Sequence, residues 1–308
     1  MQNLIEGLND KQKEAVLATE GPCLVIAGAG SGKTKVLTHK IAYLISEKGV
    51  KPYNILAITF TNKAASEMKQ RVEKLVGDVA QEMWMGTFHS ICVRILRRFI
   101  DRIGFDTSFL IFDTSDQKTV VKECLKALNI DDKTFSDRSV LSEISNAKNE
   151  MLTPKAYQTK YAGEFRKEKI GQVYELYQKR LRENNAIDFD DIINYTIEIL
   201  SENPDVLQYY TEKFKYVLVD EYQDTNKAQF TILASRYGNI TVVGDNDQGI
   251  YSFRGADISN ILNFEKDFPG TKIIKLEQNY RCTGNILKAA NAVIKHNENK
   301  YEKKLWTE

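Results

Sequence analysis

Ala27, Gly28, Ala29, Gly30, Ser31, Gly32, Lys33 and Thr34 constrain this chain more than any other stretch. They follow directly on the apolar run Cys23–Ile26 and directly precede a helical pattern from Lys35 to Ile45. The interleaved glycines free the backbone to curl, so that consecutive N–H groups face phosphate oxygens while the helix adds its positive end. In such a loop Lys33 reaches the β- and γ-phosphates and Thr34 binds Mg²⁺. Its first position is ordinarily Gly; Ala27 stands there and leaves the inner glycines intact. Strand, glycine loop and helix in that order predict an α/β fold whose ligand sits at the carboxyl ends of parallel strands.

The same alternation recurs. Ile55–Phe60 is a second buried run, followed by Ala64, Ala65, Met68 and Val72 at helical spacing. Phe60 ends its strand, where its ring either closes the core or offers a face to a base. Met83–Ser90 reads as a third strand with a Gly-Thr turn, leading into a helix whose Arg94, Arg97 and Arg98 suit a solvated face better than a phosphate track. Phe109–Phe112 is a fourth short strand. From Asp113 the character changes: Thr114 with Gln117 reads as a capping box, and Val120, Val121, Cys124, Leu125 and Leu128 keep helical period. No strand pattern appears between Phe112 and Phe214. The chain therefore divides into an α/β domain in two parts, 1–113 and 213–308, around an all-helical insertion at 114–212.

The strand pattern returns at Tyr216–Val219, and Asp220 and Glu221 follow at once. In a phosphate-loop protein, an acid pair there has chemical work: the first carboxylate holds Mg²⁺, and the second orients the attacking water and takes its proton. Ile240–Gly255 is another strand with a polar, aromatic tail. Gln248 suits sensing of the γ-phosphate, and Tyr251, Phe253 and Arg254 together suit stacked bases. After the last strand, Ile273–Leu276, come Tyr280, able to stack on an adenine, and Arg281, a candidate arginine finger.

Composition excludes some classes. The 308 residues carry 43 Lys and Arg against 42 Asp and Glu, so no overall basic field announces a nucleic-acid partner, which a local groove would have to hold. The cysteines (Cys23, Cys92, Cys124 and Cys282) show no paired spacing, and the few histidines are dispersed, which argues against a zinc site or disulfide framework and fits a reducing, cytoplasmic setting. No apolar run is long enough to cross a bilayer.

Taken together, Gln12, the loop ending in Lys33-Thr34, Thr59–Ala65, Gly86–Ser90, Asp188–Asp191, Val219–Asn226, Val243–Tyr251 and Asn279–Arg281 closely resemble the motifs of UvrD/PcrA/Rep-type superfamily 1 DNA helicases. The resemblance implies a RecA-like P-loop domain with a parallel sheet, 1A, interrupted by a helical domain, 1B. It implies ATP-driven 3′ to 5′ movement on single-stranded DNA, unwinding at duplex junctions, and work in DNA repair or replication. Residue by residue, it assigns the adenine to Gln12 and Tyr280. The triphosphate, Mg²⁺ and water fall to Lys33, Thr34, Asp220, Glu221, Gln248 and Arg281, and DNA to Phe60, His89, Tyr251, Phe253 and Arg254. Gly249, Phe253 and Cys282 stand where the family usually has Ser, Trp and Ser. The motifs of a second RecA-like domain are not found after Arg281, so these residues are expected to form the amino-terminal half of a motor, slow in hydrolysis on its own. A small-molecule phosphotransferase also fits the loop but leaves the aromatic tail and the helical insertion without a purpose.

Overall fold

The computed structural model describes residues 4–233, 238–251, 255–297, 301 and 303–308. They form two compact units. One takes the chain up to Ile91, Gln208–Asn226 and everything from Leu233 onward; the other takes Cys92–Leu207 with Lys227–Ile232.

The first unit is built on a six-stranded sheet. Its strands are β1 (Cys23–Ala27), β2 (Ile55–Thr59), β3 (Trp84–Thr87), β6 (Tyr216–Val219), β7 (Asn239–Gly244) and β8 (Lys272–Leu276), in spatial order β3-β2-β6-β7-β1-β8. Every pairing is parallel, with Val25 opposite Val243 and Ile274, and Val219 opposite Val242. Parallel sheets are covered on both faces, which is why β1 and β2 are apolar or buried at every position rather than alternating. Val36, Leu37 and Ile41 of helix α2 (Lys33–Ser46) and Met68 and Val72 of α3 (Asn62–Val76) press on that sheet. Helix α1 (Asp10–Leu17) starts where Asn9 and Gln12 form a reciprocal capping box.

The second unit is helical. The helix α4 (Phe88–Phe99) leads toward it, and α5 (Thr114–Ala127), α6 (Asp137–Asn149), α7 (Pro154–Lys160), α8 (Phe165–Glu183) and α9 (Phe189–Glu202) make up its body. Ile170, Val173, Tyr174, Tyr177 and Leu181 recur along one stripe of α8 and pack on Val121, Cys124, Val140 and Ile144. Arg97 lies on an exposed face, as expected, and is also anchored there: its guanidinium donates to the carbonyls of Thr107 and Phe109, both at 2.8 Å, and lies 3.8 Å from the Phe109 ring centre.

Two expectations need correction. The stretch from Phe112 to Phe214 does contain a strand, β5 (Ala186–Ile187), which pairs in parallel with β4 (Leu110–Ile111) in a separate two-stranded sheet. A two-residue strand has no run or alternation to read; it exists through bonds from the distant Leu110 and Phe112 N–H groups to the Asn185 and Ile187 carbonyls, each 2.9 Å. The cap of α5 is Asp113 with Asp116, not Thr114 with Gln117. The Asp113 carboxylate accepts from the N–H groups of Ser115 and Asp116 and adds a negative charge at the positive helix end, which a hydroxyl does not. Among the described residues no helix is long and apolar enough to cross a membrane.

Candidate nucleotide-binding site

The carboxyl ends of β1, β2, β6, β7 and β8 deliver the loops that bear the predicted residues. After β1, Gly30 and Gly32 adopt φ of 69° and 89°, a region that favours glycine, and this turns the loop into the start of α2. Gly30 is required for space as well, since a Cβ there would lie 2.7 Å from both the Asn279 amide nitrogen and the Arg281 Cβ. The loop is fixed from within by Ser31, whose hydroxyl donates to the Gly28 carbonyl at 2.7 Å.

Gln12 braces this loop from the side. It is 2% exposed, its amide nitrogen donates to the Ser31 carbonyl at 2.9 Å, and its carbonyl accepts the Asn9 N–H at 3.1 Å. Tyr280 lies beside it, 58% exposed; its backbone N–H donates to the Gly30 carbonyl and its hydroxyl accepts from the Asn9 amide at 2.8 Å. Arg281 is exposed, with its backbone N–H held by the Asn279 side chain at 2.8 Å.

Lys33 and Glu221 face each other across the loop mouth, ammonium to carboxylate at 2.7 Å. The Glu221 backbone is left-handed, φ 50°, a strained setting for a residue with a Cβ. The Gln223 amide, which donates to the Glu221 carboxylate at 2.8 Å, helps hold it there. Asp220 is buried, and the Thr34 hydroxyl reaches its carboxylate only at 3.4 Å. Burial, with the charge of Glu221 adding to it and Lys33 only partly offsetting it, pushes the Asp220 carboxyl up to about 6. Asp224 rises to about 6 for the same two reasons, burial first. A buried carboxylate short of positive charge beside a hydroxyl is an oxygen-only donor set. It suits Mg²⁺, which takes one or two protein oxygens and leaves the rest to phosphates and water.

A cleft of about 320 Å³ gathers Thr34, Asp220, Glu221 and Gln248 together with Phe60 and Tyr251. Those two rings sit 4.9 Å apart, tilted by 42°. Gln248 donates its amide to the Asp245 carboxylate at 2.5 Å. His89 stands in the first turn of α4 and is not part of the cleft lining; Phe253 and Arg254 lie outside the described residues.

Three connecting residues escaped the sequence reading. Asn279, 1% exposed, donates to the Ala29 carbonyl at 2.5 Å and accepts from the N–H groups of Arg281 and Cys282, so it welds the phosphate loop to the last motif. Gln223 bonds Glu221 with its nitrogen and the Asp245 N–H with its oxygen, at 2.8 and 2.9 Å, which joins the ends of β6 and β7. Both fall inside recognised motifs, where a buried amide beside charged residues was the available signal. Lys303 had none.

A parallel sheet, a glycine loop entering a helix, a Lys-Thr pair, and an acid pair at the end of β6, one strand removed from β1, together define a P-loop fold of the RecA-like class. Residues 8–269 match the family model of the UvrD/REP helicase N-terminal domain, and the chain belongs to that family. It is 58% identical, over its whole length, to proteins named ATP-dependent DNA helicase PcrA from Staphylococcus epidermidis and Staphylococcus aureus. It spans 42% of the length of those relatives.

Proposed function

We propose that this chain supplies the phosphate-handling wall of an ATP-dependent DNA helicase that moves 3′ to 5′ along single-stranded DNA. The observation that carries the reading is the shared cleft, in which the acids and the sensor amide lie beside the Phe60 and Tyr251 rings. The same reading takes the helical insertion as domain 1B, and includes action at duplex junctions, a cytoplasmic setting, and a role in repair or replication.

Binding begins with exchange at Lys33: incoming phosphate oxygens replace Glu221 at the ammonium. Glu221, still oriented by Gln223, is then at liberty to accept a proton from water. Thr34 and Asp220 would hold Mg²⁺, which when bound offsets charge on the transferred phosphoryl group. Gln248 turns its amide from Asp245 toward the γ-phosphate, and Arg281 meets the charge that develops there. Gln12 and Tyr280 frame the base, Gln12 chiefly by bracing the loop. Phe60, Tyr251, His89, Phe253 and Arg254 take the DNA side.

The test is Glu221→Gln in the full-length protein. It should keep ATP affinity within a few-fold while single-strand-stimulated hydrolysis drops about 10²- to 10⁴-fold, the usual contribution of a positioned base. Unchanged turnover, or turnover indifferent to single-stranded DNA in the parent protein, would overturn the reading.

A further inference from the structure

We propose that Lys303 is a positioning residue for Gln248, a role that rests on the ATPase reading above. The Lys303 ammonium lies 2.5 Å from one oxygen of the Asp245 carboxylate, also pairs with Asp247, and is 3.2 Å from the Asn246 side-chain oxygen. The other oxygen of Asp245 accepts the Gln248 amide at 2.5 Å. One carboxylate therefore connects the cation to the sensor side chain.

Burial gives the connection its force. The side chains of Lys303, Asp245 and Asp247 are 4%, 3% and 6% exposed. Two nearly buried acids share one loop, and the single ammonium of Lys303 reaches both from outside it. Without that ammonium their repulsion and desolvation favour another loop conformation, and the loop that moves is the one presenting Gln248. The Asp247 N–H and the Gln248 N–H both bond to Asp245, at 3.0 Å each, so the backbone depends on the same residue.

Lys303 is itself held firmly. Its segment runs alongside the extension of β8: the Trp306 N–H donates to the Glu277 carbonyl at 3.0 Å, and the Asn279 N–H donates to the Trp306 carbonyl at 2.8 Å. The Leu305 side chain lies over Gly28, so close that a Cβ on that glycine would collide with it. A single short segment thus touches the phosphate loop and fixes the sensor loop.

Lys303→Met and Lys303→Arg in the full-length protein test this with two readouts. Without nucleotide, amide exchange at Asp247 and Gln248 should rise about tenfold or more in Lys303→Met and return to within about threefold of the parent in Lys303→Arg, as expected of local opening. With ATP, kcat should fall about tenfold in Lys303→Met with KM within about twofold, and Lys303→Arg should restore kcat. Unaltered exchange and kcat in Lys303→Met overturn the proposal. So does faster exchange throughout the sheet unit with kcat and KM failing together, which marks a general structural role. If the parent protein hydrolyses no ATP, the ATPase reading fails, while the exchange arm still decides the link from Lys303 to Gln248.

Discussion

Asp188 and Asp191 in the helical unit, and Asp220 and Glu221 in the sheet unit, are acid pairs that each begin just past a strand, yet their surroundings are opposite. Lys148 lies 2.6 Å from Asp188 and 2.8 Å from Asp191, and the Tyr177 hydroxyl donates to Asp188 at 2.9 Å. The pair also forms the capping box of α9: the Asp188 carboxylate accepts the Asp191 N–H, and the Asp191 carboxylate accepts the Asp188 N–H. Burial works against the Lys148 ammonium, but the charges of Asp188 and Asp191 outweigh it and hold its pKa above the ordinary value. One cation balances one acid, so Asp191, buried and next to Asp188, is pushed up to about 7. Asp220 has no such closed shell: its contacts are a 3.4 Å hydroxyl and one backbone N–H at 3.0 Å, and Lys33 is turned to Glu221. A buried acid whose lone pairs are all engaged is architecture, whereas one left under-engaged beside a loop built for phosphates is an instrument.

The largest expected effect breaks the closed cluster. Lys148→Met leaves two buried carboxylates without their cation and should destabilise the helical unit by about 3–5 kcal/mol, read as a lower urea midpoint. Adding Asp188→Asn and Asp191→Asn should recover most of that loss, since the two carboxylates that Lys148 pairs with are then uncharged. A loss below about 1 kcal/mol from Lys148→Met would mean that the cluster is wet, and the contrast with Asp220 would collapse.

Asp220→Asn probes the other side of the comparison. The folded carboxyl is raised, from an ordinary 3.8 to about 6. Its ionised form is therefore disfavoured by folding: stability from the protonated group is fully present below 3.8 and lost as pH rises through about 6. At neutral pH the nucleotide-free Asp220→Asn protein should be more stable than the parent by up to about 3 kcal/mol, at about 1.4 kcal/mol per pH unit. That gain should shrink as pH falls through 6 and vanish below about 4. Denaturant titrations at several pH values measure it; a variant less stable than its parent at pH 7.5 would show that Asp220 is a structural acid after all.

What could be read beforehand follows the same division between local and distant causes. The strands of the large sheet announce themselves because burial on both faces needs unbroken apolar runs such as Cys23–Ile26 and Tyr216–Val219. Lys33, Thr34, Asp220, Glu221 and Gln248 announce themselves because each follows a strand at a spacing that phosphate chemistry requires. Ala186–Ile187 was silent, since its partner Leu110–Ile111 lies 76 positions away and a two-residue strand carries no period. Lys303 was silent for the same reason: it meets Asp245 across 58 positions, and nothing near either residue foretells the other. The capping of α5 was misplaced by one residue because Thr114 and Asp113 are both able caps, and only the geometry distinguishes them.

The smallest expected effect concerns how cations and rings are used in the two units. In the helical unit these groups serve one another: Lys160 is 2.7 Å from Glu150, Arg166 lies 4.9 Å over Phe135, and Lys167 lies 3.8 Å over Tyr161. Groups already engaged that way have less to offer a DNA backbone than their charge suggests. Phe60 and Tyr251 line the cleft that holds Asp220 and Glu221, where a base stacked on the rings would sit beside those acids. Phe60→Ala or Tyr251→Ala should therefore weaken single-stranded DNA binding by about 1–2 kcal/mol, the usual worth of one stacked base, in a fluorescence anisotropy titration at fixed salt. Lys160→Ala and Arg166→Ala should change it by less than about 0.5 kcal/mol, as surface substitutions do. The reverse ranking would move the DNA path onto the helical unit and leave the Phe60–Tyr251 pair as core at the edge of the nucleotide cleft.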